Sequence, residues 1–457
     1  MVDIPQHLRK YATRGPRYTS YPPASSFHTG IDKEKIRQIW SESGSGPSTP
    51  TSLYVHVPFC RARCLYCGCH TTSQWSEDNL RTYVEALLKE TEIAAGLLGG
   101  GGAVEQLAMG GGTPNTLDRR MMTDLMGTIR RHFSIPKEGE VSIELDPRNM
   151  DLDDVDFLVD VGFNRFSLGV QDLDPRVQKI VRRVQTEEKI RAIVERIRSR
   201  GTWAISFDLI YGLPAQTPET FGETIDKVIA MGPSRIAVFG YAHVPWMHPH
   251  QEALEEKGLP ATEQRAELVM TASGKLIGAG YIHIGLDHFA REDDELAAAL
   301  RSRKLHRNFM GYTTRKGLRL AALGSSAISA VGGSYVQDDK DIDGYVKTVL
   351  EESRLPWRRG FILSKDDMVR RDLIMELFCN LHVDLVDLGR RHGISAADDF
   401  APELEKISEM EKDGLLRYDG RSIDLTPVGR YFVRNVCMVF DRYLEADVEK
   451  RVHSRTL

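Results

Sequence analysis

From residue 53 onward the chain alternates short runs rich in β-branched and aromatic residues with longer amphipathic stretches, and nothing else in the sequence restricts the fold as strongly. The runs are LYVHV (53–57), VEQLAMG (104–110), VSIEL (141–145), RFSLG (165–169), AISFDLI (204–210), IAVFG (236–240) and YIHIG (281–285). Helix-like stretches fill the gaps at 77–98, 118–133, 152–161, 174–200, 217–231 and 261–279. Repeated strand–helix units require a parallel sheet, because each helix carries the chain back to the same edge. Boundary signals agree with this division. Thr217 can cap a helix that has Pro218 at its first position, and Gly201 follows the stretch ending Arg198-Ser199-Arg200. The expected fold is therefore α/β, either closed toward a barrel or open and doubly wound.

In such sheets the reactive groups gather at the C-terminal ends of the strands. Just after the runs stand Cys60 to Cys69, Gly110 to Pro114, Glu144 with Asp146, Gln171, Asp208, Tyr241 to His243, and Asp287-His288. Seven run ends aimed one way mark a candidate site.

With 457 residues, 41% of them hydrophobic, the chain can bury a large core. The opening segment MVDIPQHLRKYATRG has no apolar run behind its basic residues, and no stretch approaches a membrane-spanning length, so a cytoplasmic protein is expected. A net charge of -5 with both signs interspersed argues against nucleic acid or a membrane surface as partner. Past residue 355 the pattern turns helical with one hairpin signal, LLRYDGRSIDLT, whose Asp419-Gly420 suits a tight turn. This reads as a small helical domain with a wing, serving as a lid or packing unit. The linker is expected near 346–362, around LPWRRG, and Gly99 to Gly102 reads as a flexible loop.

Six cysteines are unevenly placed: Cys60, Cys64, Cys67 and Cys69 fall close together, while Cys379 and Cys437 stand alone in apolar contexts. A structural zinc ion usually takes two separated cysteine pairs, whereas Cys60-x3-Cys64-x2-Cys67 is one compact trio in a loop after a strand. Three thiolates can hold three irons of a 4Fe-4S cluster and leave the fourth open to a substrate or cofactor. Thiolate softness suits iron–sulfur or zinc, so ligand type alone does not decide.

This CxxxCxxC loop resembles that of the radical S-adenosylmethionine (SAM) superfamily. The extended form ending at Cys69 and preceded by LYVHVPF is similar to the oxygen-independent coproporphyrinogen III oxidase family. So are GPRYTSYP (15–22), GGGTPN (110–115), SIELDPR (142–148), FNRFSLGVQD (163–172), DLIYGLP (208–214), YAHVP (241–245), DHFAREDDELA (287–297), HRNFMGYTT (306–314) and GSSAIS (324–329). The resemblance implies a partial (β/α) barrel over 51–345, an N-terminal substrate-covering segment over 1–50 and a mostly helical, winged C-terminal domain over 346–457.

It also implies roles. Cys60, Cys64 and Cys67 would ligate the cluster, with Cys69 nearby as a non-ligand. Tyr54 and Tyr66 would pack against the cofactor and cluster, and His56, on the Tyr54 face of its strand, would hydrogen-bond nearby. Gly111, Gly112 and Thr113 would let backbone groups approach the methionine ammonium. Glu144, Gln171 and Asp208 would meet the rest of an amino acid joined to a nucleoside, and Arg183 would hold its carboxylate. Arg182 and Val184 replace the asparagine and glutamate usual beside that arginine. A second SAM is implied near Gln171, Ala242 and Ile328 with Phe309-Met310 close by, although Met310 stands where the family has glutamine.

The implied reaction converts two propionates of coproporphyrinogen III to vinyl groups through a 5'-deoxyadenosyl radical, giving protoporphyrinogen IX for haem. Reduced flavodoxin or ferredoxin would supply the electron to a monomeric enzyme. Arg17, His306, Arg307 and Arg315 are candidate partners of the substrate carboxylates. Related alternatives are a haem chaperone or a haem-opening methyltransferase of the same superfamily; a zinc-stabilised scaffold with a winged interaction domain is a different one.

Overall fold

The computed structural model describes residues 7, 10–11, 13–44, 50–100, 102–201 and 204–444. Six strands, β1 (Thr51–Val57), β2 (Val104–Gly111), β3 (Glu140–Leu145), β4 (Arg165–Gln171), β5 (Ala204–Tyr211) and β6 (Arg235–Gly240), lie side by side in chain order, all parallel. After each comes a helix: Glu77–Leu97, Arg119–His132, Leu152–Val161, Glu187–Ser199, Pro218–Met231 and Thr262–Gly278. Side chains alternate across a strand, and here the alternation separates core from lumen. Phe166, Leu168 and Val170 of β4 and Ile205, Phe207 and Leu209 of β5 are buried with Ile193, Ile197, Phe221 and Ile225 of the helices. Their neighbours Ser167, Gly169, Gln171, Ser206 and Asp208 line a cavity on the other face. The partial barrel thus has an apolar jacket and a polar inside.

The strand β7 (Tyr281–Gly285) keeps the direction of β6 but does not pair with it. After a tight turn at Leu286-Asp287, β8 (His288–Arg291) folds back and fills the place between them, antiparallel to both. The small hairpin β9 (His306–Asn308) and β10 (Gly311–Thr313) follows. Next, β11 (Arg319–Leu323) pairs in parallel with the outer side of β1, and β12 (Ile328–Val331), β13 (Ser334–Asp338) and β14 (Trp357–Ile362) extend the sheet antiparallel from there.

Three expectations need correction. The linker expected at 346–362 instead holds the end of helix Ile342–Leu350 and the edge strand β14. Trp357 is buried with its ring centroid 5.0 Å from that of Trp40, so this stretch belongs to the main core. The chain leaves the sheet at Ile362 and enters helix Lys365–Asn380 through the Ser364 cap. Secondly, 174–200 is two helices, Pro175–Ile180 and Glu187–Ser199, parted by a turn with Arg182 at φ +57° and restarted by the Thr186 cap. Thirdly, the N-terminal segment is more than a cover. Ile36 and Trp40 of helix Lys33–Gly44 join the barrel core, whereas Tyr18 and Tyr21 are fully buried in the C-terminal core. Arg434 donates to the carbonyls of Gly15 and Pro16, and the Tyr18 hydroxyl donates to Asp441 at 2.9 Å.

Beyond the sheet, helices pack with a three-stranded antiparallel sheet of β15 (His382–Asp384), β16 (Leu416–Tyr418) and β17 (Ser422–Leu425). The β16–β17 turn carries Gly420 at φ +85°, as the Asp-Gly signal predicts. Cys379 and Cys437 are buried in this core.

Candidate active site

The inward positions of β3, β4 and β5 and the loops after β1, β2 and β6 surround a cavity of 750 Å³, a size that suits a nucleoside-containing ligand. Tyr54, Tyr66, Cys67 and Cys69 line one side, Gly111, Gly112, Thr113 and Glu144 another, and Gln171, Arg183, Asp208 and Ala242 the rest. Most of the run ends singled out in the sequence thus converge, Glu144, Gln171 and Asp208 by inward register on β3, β4 and β5 and others from loops at the same sheet edge, whereas His243 and Asp287 line a neighbouring cavity.

The cysteine loop leaves β1 and is fastened from several sides. Cys60 N–H donates to the Thr72 carbonyl at 2.9 Å, Leu65 N–H to that of Val181 at 3.1 Å, and Trp75 Nε1 to that of Cys60 at 2.9 Å. Gln251, fully buried, donates from Nε2 to the Tyr66 carbonyl at 3.1 Å, and His250 Nε2 lies 2.8 Å from the Cys67 carbonyl. His56 stands behind the lining, not in it. Its Nε2 is 3.0 Å from the His70 carbonyl, which can only accept, so Nε2 carries the proton and Nδ1 accepts from the Tyr54 hydroxyl at 3.1 Å. Burial lowers the imidazole to about 4, which keeps it neutral and fixes this arrangement. His56 therefore joins Tyr54 to the returning arm of the loop.

Gly111 closes β2 at φ +112°, and a Cβ there would meet the His56 ring at 2.4 Å. The N–H groups of Gly111, Gly112 and Thr113 donate to Glu144, Val57 and Phe59, so the groups this turn can offer a ligand ammonium are carbonyls. Burial, then repulsion from Asp208, raises Glu144 to about 7 against the opposing Gly111 N–H. Burial likewise raises Asp208 to about 6, opposed by the Ser167 hydroxyl at 3.1 Å and by Arg183. Set inside the barrel, where Glu144 is exposed to the cavity and Asp208 half-buried on its wall, the two carboxyl groups can accept hydrogen bonds from an ammonium or a ribose diol and ionise when it binds.

Arg183 enters the site because of the break between its two helices. Its Nη2 donates to the Gly169 carbonyl at 2.6 Å and to Asp146 at 3.2 Å, Nη1 reaches Cys64 Sγ at 3.6 Å, and the buried Nε has no hydrogen-bond partner among the described residues. Arg148 was not singled out from the sequence, yet its Nη2 also approaches Cys64 Sγ at 3.6 Å while pairing with Asp146 at 2.6 Å. Its place in SIELDPR, directly after the Glu144 strand, was the available signal. Thr113 Oγ1 lies 3.3 Å from Cys60 Sγ and Thr71 Oγ1 3.9 Å from Cys67 Sγ, and the neighbouring Cys69 thiol holds Cys67 below the ordinary thiol range.

Other expected residues fall elsewhere. Ile328 is not part of the cavity wall itself but packs with Phe27, Tyr335 and Leu363 in the same cluster as Phe309, which is. Phe309, Met310 and Ala242 do line it, as does Arg17, whose Nη2 pairs with Asp287 at 2.7 Å. His306, Arg307 and Arg315 line a different cavity beyond the β9–β10 hairpin.

The donor set fits a cluster. Three thiols on one loop are soft ligands, and two guanidinium groups beside Cys64 are of the kind that tunes an iron–sulfur centre. Among the described residues no three His, Cys, Asp or Glu side chains converge on one ion position, and thiolates that each take a different iron need not. A parallel partial barrel with a three-cysteine loop at its C-terminal edge, opening onto a nucleoside-sized cavity, defines the radical SAM class. The pattern described as Radical SAM superfamily matches residues 54–228, and that described as HemN C-terminal domain matches 363–432. The oxygen-independent coproporphyrinogen III oxidase of Escherichia coli (strain K12) is 40% identical over 450 residues, covering 98% of this chain and 97% of the relative. That of Pseudomonas aeruginosa is 43% identical over 443 residues, covering 96% and 95%. The solved structure of coproporphyrinogen III oxidase (HemN) from Escherichia coli, described as a radical SAM enzyme, superimposes with a TM-score of 0.89 at 40% identity, covering 94% of this chain and 98% of that one. The chain belongs to the oxygen-independent coproporphyrinogen III oxidase family, and membership of the radical SAM superfamily implies a 4Fe-4S cluster and SAM.

Proposed function

We propose that this protein carries out the oxygen-independent oxidative decarboxylation of two propionates of coproporphyrinogen III to the vinyl groups of protoporphyrinogen IX. The observation that carries this reading is the convergence of the cysteine loop, Glu144, Asp208 and Arg183 on one cavity in a chain that matches the named oxidases over nearly its whole length.

When bound, the cluster and SAM supply one-electron cleavage of a sulfonium and removal of a hydrogen atom from the propionate side chain. The chain's own groups hold, orient and shield. Cys60, Cys64 and Cys67 are the cluster ligands, and Cys69 supports Cys67 without ligating. Tyr54 and Tyr66 pack against the cofactor while His56 fixes Tyr54. The carbonyls of the Gly111–Thr113 turn and the Glu144 carboxylate accept from the ammonium, Asp208 and Gln171 receive the ribose side, and Arg183 holds the carboxylate. The jacket of helices excludes water from the lumen. A second SAM near Gln171, Ala242 and Ile328, with Phe309-Met310 close by, would serve the second propionate. A reduced flavodoxin- or ferredoxin-type protein is the electron donor, and the enzyme acts as a cytoplasmic monomer; no helix among the described residues is long and apolar enough to cross a membrane.

The test is anaerobic turnover. Reconstituted protein with reductant, SAM, coproporphyrinogen III and a one-electron acceptor for the electron each decarboxylation leaves behind should form protoporphyrinogen IX and two CO2, together with two methionine and two 5'-deoxyadenosine per ring. Formation of 5'-deoxyadenosine with no change in the tetrapyrrole would refute the substrate assignment and favour a haem chaperone or methyltransferase paralogue.

A further inference from the structure

Beyond the β9–β10 hairpin lies a second cavity, of 1010 Å³, which shares Asn308 and Phe309 with the first as a common wall. Nine of its lining residues are Arg or Lys and four are Asp or Glu. Those four acids are already paired: Asp372 with Arg371, Glu376 and Asp387 with Arg391, and Asp384 with Arg421. Lys304 and Lys316 are exposed at its margin. Arg307 is the unusual member. It is 8% exposed, its guanidinium carbon lies 4.7 Å from the Tyr312 ring centre and 5.5 Å from that of Phe378, and its Nε and Nη1 have no hydrogen-bond partner among the described residues. Two aromatic faces compensate part of the charge, but a buried cation without an anion remains unfavourable, and a ligand anion is its natural complement. Arg307 also faces Tyr312 across the hairpin, and Tyr312 lines the first cavity, so an anion at Arg307 is one strand pair from the cofactor site.

We propose that this second cavity is a polycarboxylate-binding site. Resting on the substrate reading above, it takes the propionates of the tetrapyrrole that are not reacting, on Arg307, Lys304 and Lys316, while one propionate passes the hairpin into the first cavity. A substrate with four carboxylates and two successive reactions needs such a hold, because the ring must be re-seated between them without being lost.

Coproporphyrin III, the stable oxidised tetracarboxylate, is titrated into anaerobic holoprotein and followed by its absorption. Arg307→Met should weaken binding by roughly tenfold to a hundredfold, the range expected for a lost charge-assisted hydrogen bond. The double variant Lys304→Glu/Lys316→Glu, which changes only exposed side chains, should weaken it by about tenfold or more and reduce its dependence on ionic strength. In both variants SAM binding and the cluster spectrum should match the wild type. If the wild type binds coproporphyrin III and the double variant binds it equally well, the cavity assignment is overturned while the substrate reading stands. If the wild type binds no tetrapyrrole, the substrate reading falls and this inference with it.

Discussion

Replacing Gly111 by alanine tests the link between the glycine turn and the cysteine loop. At φ +112° an alanine is strained by about 1–3 kcal/mol. Its Cβ would lie 2.4 Å from His56 Cε1 and 2.5 Å from Nδ1, and the ring cannot yield freely because Tyr54 and the His70 carbonyl hold its two nitrogens. Overpacking of this kind costs a further ~1–3 kcal/mol, for a total of roughly 2–6 kcal/mol. Urea unfolding of the anaerobic holoprotein should show that loss, and iron should leave faster under chelator challenge because the His56 tie to the loop is disturbed. His56→Ala removes the clash but leaves the backbone strain. The double variant should therefore lose less than the sum of the two singles, by about 1–3 kcal/mol. Strictly additive losses, or a Gly111→Ala protein as stable as the wild type, would show that ring and glycine are not coupled as described.

Cys60→Ala, Cys64→Ala and Cys67→Ala should each abolish the cluster, whereas Cys69→Ala keeps iron; equal iron loss in Cys69→Ala and Cys60→Ala would remove the distinction. Glu144 has a folded value of about 7 above its ordinary 4.5, so the ligand-free fold holds the extra proton and should lose stability as pH rises from about 4.5 to 7. Glu144→Gln should flatten that decline in urea midpoints, while a slope identical to wild type would place the titration elsewhere. Met310→Gln should tighten the second of two SAM binding events and leave the first unchanged; a single saturable site in both proteins, measured at equilibrium, counts against a second cofactor. Tyr18→Ala should lower stability by about 3–5 kcal/mol through lost aromatic burial, as read from urea unfolding, and leave the cluster spectrum intact. Deleting residues 1–25 should likewise expose C-terminal core, and a deletion as stable as wild type would show that Tyr18 and Tyr21 contribute little.

The six parallel strands were legible because short runs rich in β-branched and aromatic residues alternate with stretches of helical period 3.6, and in β3, β4 and β5 a period of two sends Glu144, Gln171 and Asp208 to one face. The strands β11 to β14 were not. RLAAL (319–323) is short, apolar and buried, which periodicity cannot separate from a helical turn. Gly332-Gly333, at φ +57° and +82° between β12 and β13, was the overlooked hairpin signal. Within the site, residues fixed by strand register were readable, and residues that arrive by tertiary reach were not. Arg148 meets Cys64 across 84 positions and Gln251 clasps Tyr66 across 185. The candidate carboxylate-binding residues were chosen by charge alone, and charge carries no information about which of two cavities a side chain faces.

The stitching of residues 15–21 into the last helix has a consequence for how the molecule is made. Its bonds join groups more than 400 positions apart, as Tyr18 to Asp441 and Arg434 to Pro16, whereas β1 to β6 meet their sequence neighbours in order. Contacts of long separation close late. The six-stranded frame can therefore form while the segment bearing Arg17 is still free, and that segment gains its seat only when the helix Val433–Val439 has folded. Cofactor loading into an open vessel would then precede the hanging of its door, and a chain stopped short of residue 433 should accumulate as a vessel that can take iron but has no closed room for a tetrapyrrole.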